Sequence, residues 1–146
     1  DYAVCKDICV PAEARLQLTL APGKADPANF DSIILRYLAK VPGDGTQQKS
    51  EDPSVRKASA KLDETAPLIE VDAHFPGGAK GADLFVEAPE GLYIPPPQKR
   101  DVGEGGDVRF TIELGKAADS GELRGKTLKL TLVSDAGQSE TDWTVD

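Results

Sequence analysis

The second half of this chain alternates apolar and polar residues in one short run after another, and that pattern most narrows what it can fold into. LIEVDAHF, ADLFVEA, DVRFTIEL and KTLKLTLVS each place apolar side chains at or near every second position, and ETDWTV adds Trp143 and Val145 close to the end. A period of two turns one face of a strand toward a core and the other toward water. Glycine, proline or acidic turns separate the runs, so the expectation is an antiparallel β-sandwich and not a parallel sheet covered by helices. Pro95, Pro96 and Pro97 lack the amide hydrogens of a central strand, so GLYIPPP should run along an edge or leave the sheet.

The first half is patterned differently. Leu16, Leu18 and Leu20 alternate with Gln17 and Thr19, which predicts a strand over Arg15 to Leu20 whose sheet partners must come from elsewhere. PANFDSIILRYLAKV then sets Phe30, Ile34, Leu38 and Val41 on one helical face, broadened by Ile33 and Tyr37. Asp26 as N-cap and Pro27 at the first helical position start this helix, and Pro42 and Gly43 stop it. Asp52 and Pro53 repeat the starting device, and VRKASAKL after them reads as a weak short helix. The predicted organisation is the end of a cysteine-bearing β domain over 1–22, a helical connector over 23–64 and a β-sandwich over 65–146.

A chain of 146 residues supplies one ordinary domain, or one small domain and part of another. Its 17 Lys and Arg are scattered and outnumbered by 25 Asp and Glu, for a net charge of -8, which argues against nucleic acid and anionic membrane as partners. No run approaches the roughly 20 apolar residues that span a bilayer, so no membrane insertion by this segment is expected. Methionine is absent and the chain starts at Asp1 inside a patterned motif, so it reads as a piece of something longer.

Cys5 and Cys9 are the two cysteines, in CKDIC. A straight strand would hold them about 13 Å apart, so a disulfide between them needs a turn that brings their Cα atoms to roughly 4.4–6.8 Å. The residues leave three readings open: a pair that exchanges electrons with a partner thiol, a structural disulfide, or half of a metal site. Lys6 favours a thiolate nearby and Asp7 opposes it.

The remaining candidates have plainer readings. His74, the single histidine, shares a strand face with Asp72 and reads as a surface or strand-end residue; no adjacent serine or cysteine completes a nucleophilic arrangement. Gly103 to Gly106, GEGG, lacks the strand, helix and lysine of a phosphate loop and reads as a turn. Tyr93 and Trp143 suit core packing or cross-strand pairing, and Glu87, Glu90, Asp101 and Glu104 a solvated face.

YAVCKDICVPAEARLQLTL resembles the end of the first periplasmic domain in the DsbD-like family of transmembrane thiol:disulfide interchange proteins, in its ScsB-like, suppressor-of-copper-sensitivity branch. The resemblance implies an immunoglobulin-like fold, a place in the periplasm of a Gram-negative bacterium, and catalytic roles for Cys5 and Cys9. The pair would take electrons from the membrane-embedded redox domain of the same parent chain and pass them to a periplasmic thioredoxin-like or disulfide-isomerase-like protein, with no cofactor. Two other classes stand beside that relay: a structural or protein-interaction β-sandwich, and a copper-handling module in which two thiolates bind Cu(I).

Overall fold

Where the second half of the sequence alternates, the chain extends into strands. The computed structural model describes residues 2–5, 9–17, 19, 31–42, 49–63, 65–115 and 120–146. These fall in two units, residues 1–33 and 34–146.

In the first unit β1 (Tyr2–Cys5) pairs antiparallel with β2 (Cys9–Ala12), running from Tyr2 opposite Ala12 to Cys5 opposite Cys9. The strand predicted over Arg15 to Leu20 does not form where it is described: residues 13–17 and 19 are irregular, and Leu16 is 97% exposed. Alternation gives such a segment an apolar face, but without a neighbouring strand its backbone groups stay with water. Leu18 and Leu20, and the helix start at Asp26, Pro27 and Phe30, lie outside the described residues.

The predicted helix is present as α1 (Asp31–Leu38), which crosses the boundary between the units. Its last turn tightens, with Lys40 N donating to Tyr37 O and Val41 N to Leu38 O at 3.0 Å, and it ends before Pro42. Ile34, Leu38 and Val41 remain exposed, so the described part of the apolar stripe contributes nothing to the buried core.

The second unit contains β3 (Ser54–Lys61), β4 (Leu68–His74), β5 (Asp83–Glu87), β6 (Gln98–Val102), β7 (Asp107–Glu113), β8 (Thr127–Val133) and β9 (Gln138–Thr144). They form two antiparallel sheets, a four-stranded one in the order β3-β4-β7-β6 and a three-stranded one in the order β5-β8-β9. All five strands expected from the alternating runs are present, and GLYIPPP leaves the sheet before β6 begins at Gln98.

VRKASAKL is a strand and not a helix, and the sheet therefore begins at Ser54, inside the predicted connector. Beyond Val55 its inward positions are filled by Ala58 and Ala60, too small to mark an apolar face, and a β-bulge between Val55 and Lys57 puts Val55 out of phase with them at Arg56. β6 hides its nature similarly: it is exposed along its length, with a bulge between Lys99 and Asp101 that leaves Arg100 over.

The inward residues of both sheets make one buried cluster. β4 supplies Ile69, Val71 and Ala73, β7 supplies Val108, Phe110 and Ile112, and β8 supplies Leu128, Leu130 and Leu132. Phe75 tilts against Phe110 with ring centroids 6.5 Å apart, and Leu84, Leu114, Leu123 and Val145 belong to the same cluster. Among the described residues no helix is long and apolar enough to cross a membrane.

One close approach fixes the β4–β7 end. Phe75 N donates to Gly106 O at 2.9 Å, and a Cβ on Gly106, which has φ of +89°, would lie 2.2 Å from Phe75 O. Only glycine fits there. Phe110→Ala should lower unfolding stability in urea by about 3–5 kcal/mol, the usual loss for a buried phenylalanine, and Gly106→Ala by at least about 2 kcal/mol through strain and displacement of Phe75. A loss under about 1 kcal/mol in either would contradict this packing.

Candidate functional site

The outward face of the four-stranded sheet is charged at most positions, and the register decides which charges meet. Residues directly opposite one another on antiparallel strands project to the same face. One row across the sheet reads Lys57, Asp72, Arg109, Asp101 through β3, β4, β7 and β6, alternating in sign at each step. Arg109 grips Asp72 with two donors, Nε to Oδ1 at 2.6 Å and Nη2 to Oδ2 at 3.1 Å.

The neighbouring row reads Ser54, His74, Asp107. His74 Nδ1 lies 2.7 Å from Asp107 Oδ1. Ser54 makes no hydrogen bond with this pair, so a nucleophile joined to its base, which covalent catalysis uses, is not assembled here. Further along the face Arg100 bonds Thr111 at 2.9 Å and also pairs with Glu113, while Lys61 pairs with Glu70 at 2.9 Å.

The turn at Gly103 to Gly106, read as a turn from sequence, sets Asp107 in place. Glu104–Gly106 is a single 3-10 turn, closed by Gly103 N donating to Asp107 O at 2.7 Å and held to β4 through Phe75. Around it opens a groove of about 600 Å³, lined chiefly by Arg56, Asp72, His74, Asp101, Gly103, Asp107 and Arg109. Arg56 reaches the groove from the β3 bulge and makes no ion pair among the described residues.

The Arg109 hydrogen bonds hold the Asp72 carboxyl below the ordinary carboxylate range; partial burial opposes them, and the charges of Arg109 and Lys57 add to the lowering. The opposite shift appears in Arg109, raised first by its bond to Asp72 and in smaller part by Glu70 and Asp101.

The sequence placed some of these residues correctly. His74 ends β4 on the face of Asp72, and Trp143 packs partly buried against the core. Glu87, Glu90 and Asp101 are exposed as expected, whereas Tyr93 is 58% exposed and packs in no strand. The side chain of Glu104 lies outside the described residues. No sequence motif marks Asp107, Arg109 or Arg56. The phase of DVRFTIEL already turned the first two outward, but only the strand register shows that they meet His74 and Asp72.

The redox expectation is corrected. Cys5 and Cys9 are opposed in the β1–β2 backbone register, and their side chains lie outside the described residues. Among the described residues there is no disulfide-forming or metal-binding cysteine arrangement, and no group of three or more His, Cys, Asp or Glu that could hold a metal ion. Thiol:disulfide exchange needs a presented sulfur pair and copper handling needs a ligand set. Neither the electron relay, nor an oxidoreductase activity, nor the copper module is therefore retained.

Because Asp72 ionises more readily in the folded protein, its pairing contributes stability above the ordinary carboxylate pKa, and that contribution is lost as pH falls through the lower folded value. Arg109→Gln should move the titration midpoint of the Asp72 carboxyl carbon, followed by NMR, up toward the ordinary range. An unchanged midpoint would show that the guanidinium is not its cause.

No curated protein and no solved structure matches the chain. One family does, over residues 40–146, which include both sheets and the charged groove. The chain belongs to the family described as Domain of unknown function (DUF8393).

Proposed function

We propose that residues 54–144 are an immunoglobulin-like, non-catalytic protein-binding module whose contact surface is the charged groove of the four-stranded sheet. The observation that carries this reading is the groove itself: polar side chains preset by cross-strand bonds surround a cleft of about 600 Å³, with no nucleophile joined to the His74–Asp107 pair among the described residues. Preset polar groups with an uncommitted arginine suit recognition of another protein surface.

Strand order supports the immunoglobulin-like part of the proposal. In order of sequence the seven strands fall as first, second, fifth, fourth in one sheet and third, sixth, seventh in the other, the arrangement of constant-type immunoglobulin domains. The resemblance of YAVCKDICVPAEARLQLTL to the DsbD-like, ScsB-like periplasmic region supports a location in the periplasm of a Gram-negative bacterium, with another domain of the same parent chain as the contact.

A photo-crosslinking residue at Lys57, exposed on β3 and opposite the groove residue Asp72, tests this in cells producing the parent protein, with Phe85 on the other sheet as the comparison site. The expected result is an adduct from position 57 that mass spectrometry identifies as a second domain of the parent chain, and none from position 85. Adducts only from position 85, or none at all, would overturn it.

A further inference from the structure

Two charges at the groove are left over once the cross-strand pairs are made. Arg56 stands on the β3 bulge and Asp101 on β6, and neither makes a direct ion pair among the described residues; Asp101 acts on Arg109 only at longer range. Between them Asp72 is held by Arg109 and Asp107 by His74. Because β3 and β6 are the two edges of this sheet, the spare cation and the spare carboxylate are separated by three strand spacings, roughly 14 Å.

The groove is thus positive at one rim and negative at the other, with the Asp72–Arg109 ion pair and the hydrogen-bonded His74 and Asp107 between them. Resting on the binding reading above, we infer that it receives an extended peptide segment bearing one carboxylate for Arg56 and one cationic side chain for Asp101. At about 3.3 Å per residue the two lie roughly four residues apart. A planar guanidinium free of partners suits a carboxylate, which it can hold through two parallel hydrogen bonds. A phosphate dianion fits less well, because the carboxylates of Asp72, Asp101 and Asp107 line the same cleft. A polycationic segment would place like charge against Arg56.

The test is an NMR titration of the isotopically labelled chain with acetyl-Glu-Ser-Thr-Ser-Lys-amide and with peptides in which Gln replaces the Glu, the Lys or both. The groove amides should shift, and neutralising either end should weaken binding about threefold, the scale of an exposed ion pair. In Arg56→Gln the Glu and Gln peptides should bind alike while the dependence on Lys persists; Asp101→Asn should give the mirror result, and Arg56→Lys should keep much of the Glu dependence. All three replacements are at exposed positions. Equal affinity for all four peptides, or a Glu dependence that survives in Arg56→Gln, would overturn the inference. If no peptide shifts the groove while the crosslink at Lys57 still forms, the inference falls and the binding reading stands; if that crosslink fails too, both fall.

Discussion

The pairing of β4 with β7 is the constraint on which the rest of the second unit depends. Its inward residues, Ile69, Val71, Val108, Phe110 and Ile112, are almost wholly buried, so the two strands cannot slip by one residue without turning that apolar surface into water. The same register that buries them sets Asp72 beside Arg109 and His74 beside Asp107 on the other face. Core and groove are two sides of one choice of alignment. The hydrophobic term chooses it, and the polar pairs inherit their geometry from that choice.

This explains how a surface cleft can be well ordered. Exposed ion pairs are weak organisers, because each must restrain long side chains against water. Here the backbone does most of the restraining. The Gly106 carbonyl is bonded to Phe75, Gly103 is bonded to Asp107, and the β4–β7 ladder carries the remaining positions. The side chains need only choose rotamers within a frame already set, which makes a floor of hydrogen-bonded side chains compatible with an unpaired charge at each rim.

The strands with large inward residues are legible in the sequence, because Ile, Val, Leu and Phe at alternate positions announce both the strand and its buried face. β3 is not, because Ala58 and Ala60 carry that face and Arg56 breaks the phase; β6 is not, because it is exposed throughout and buries nothing. Leu16 shows the opposite error, a clear alternation that finds no sheet. For the groove, the outward phase of Asp72, His74, Asp107 and Arg109 can be read locally. Their meeting cannot, since His74 and Asp107 are 33 residues apart and only strand pairing brings them together. The cysteine pair draws attention because close spacing is visible in a sequence, whereas a row across four strands is not.

The bulges at Arg56 and Arg100 have a consequence for how the molecules behave in a crowd. β3 and β6 are the edges of the four-stranded sheet, where unpaired amides and carbonyls could template a strand from a neighbouring molecule. An extra residue in each edge throws the ladder out of step and puts a bulky cation beside the break. At the third edge, β5, side chains occupy part of the margin: Lys99 Nζ donates to the carbonyl of Ala82, and Asp83 Oδ1 accepts the amide of Leu84. Edge-to-edge pairing is thereby obstructed at three of the open margins, the places where flat, regular strands would template fibres.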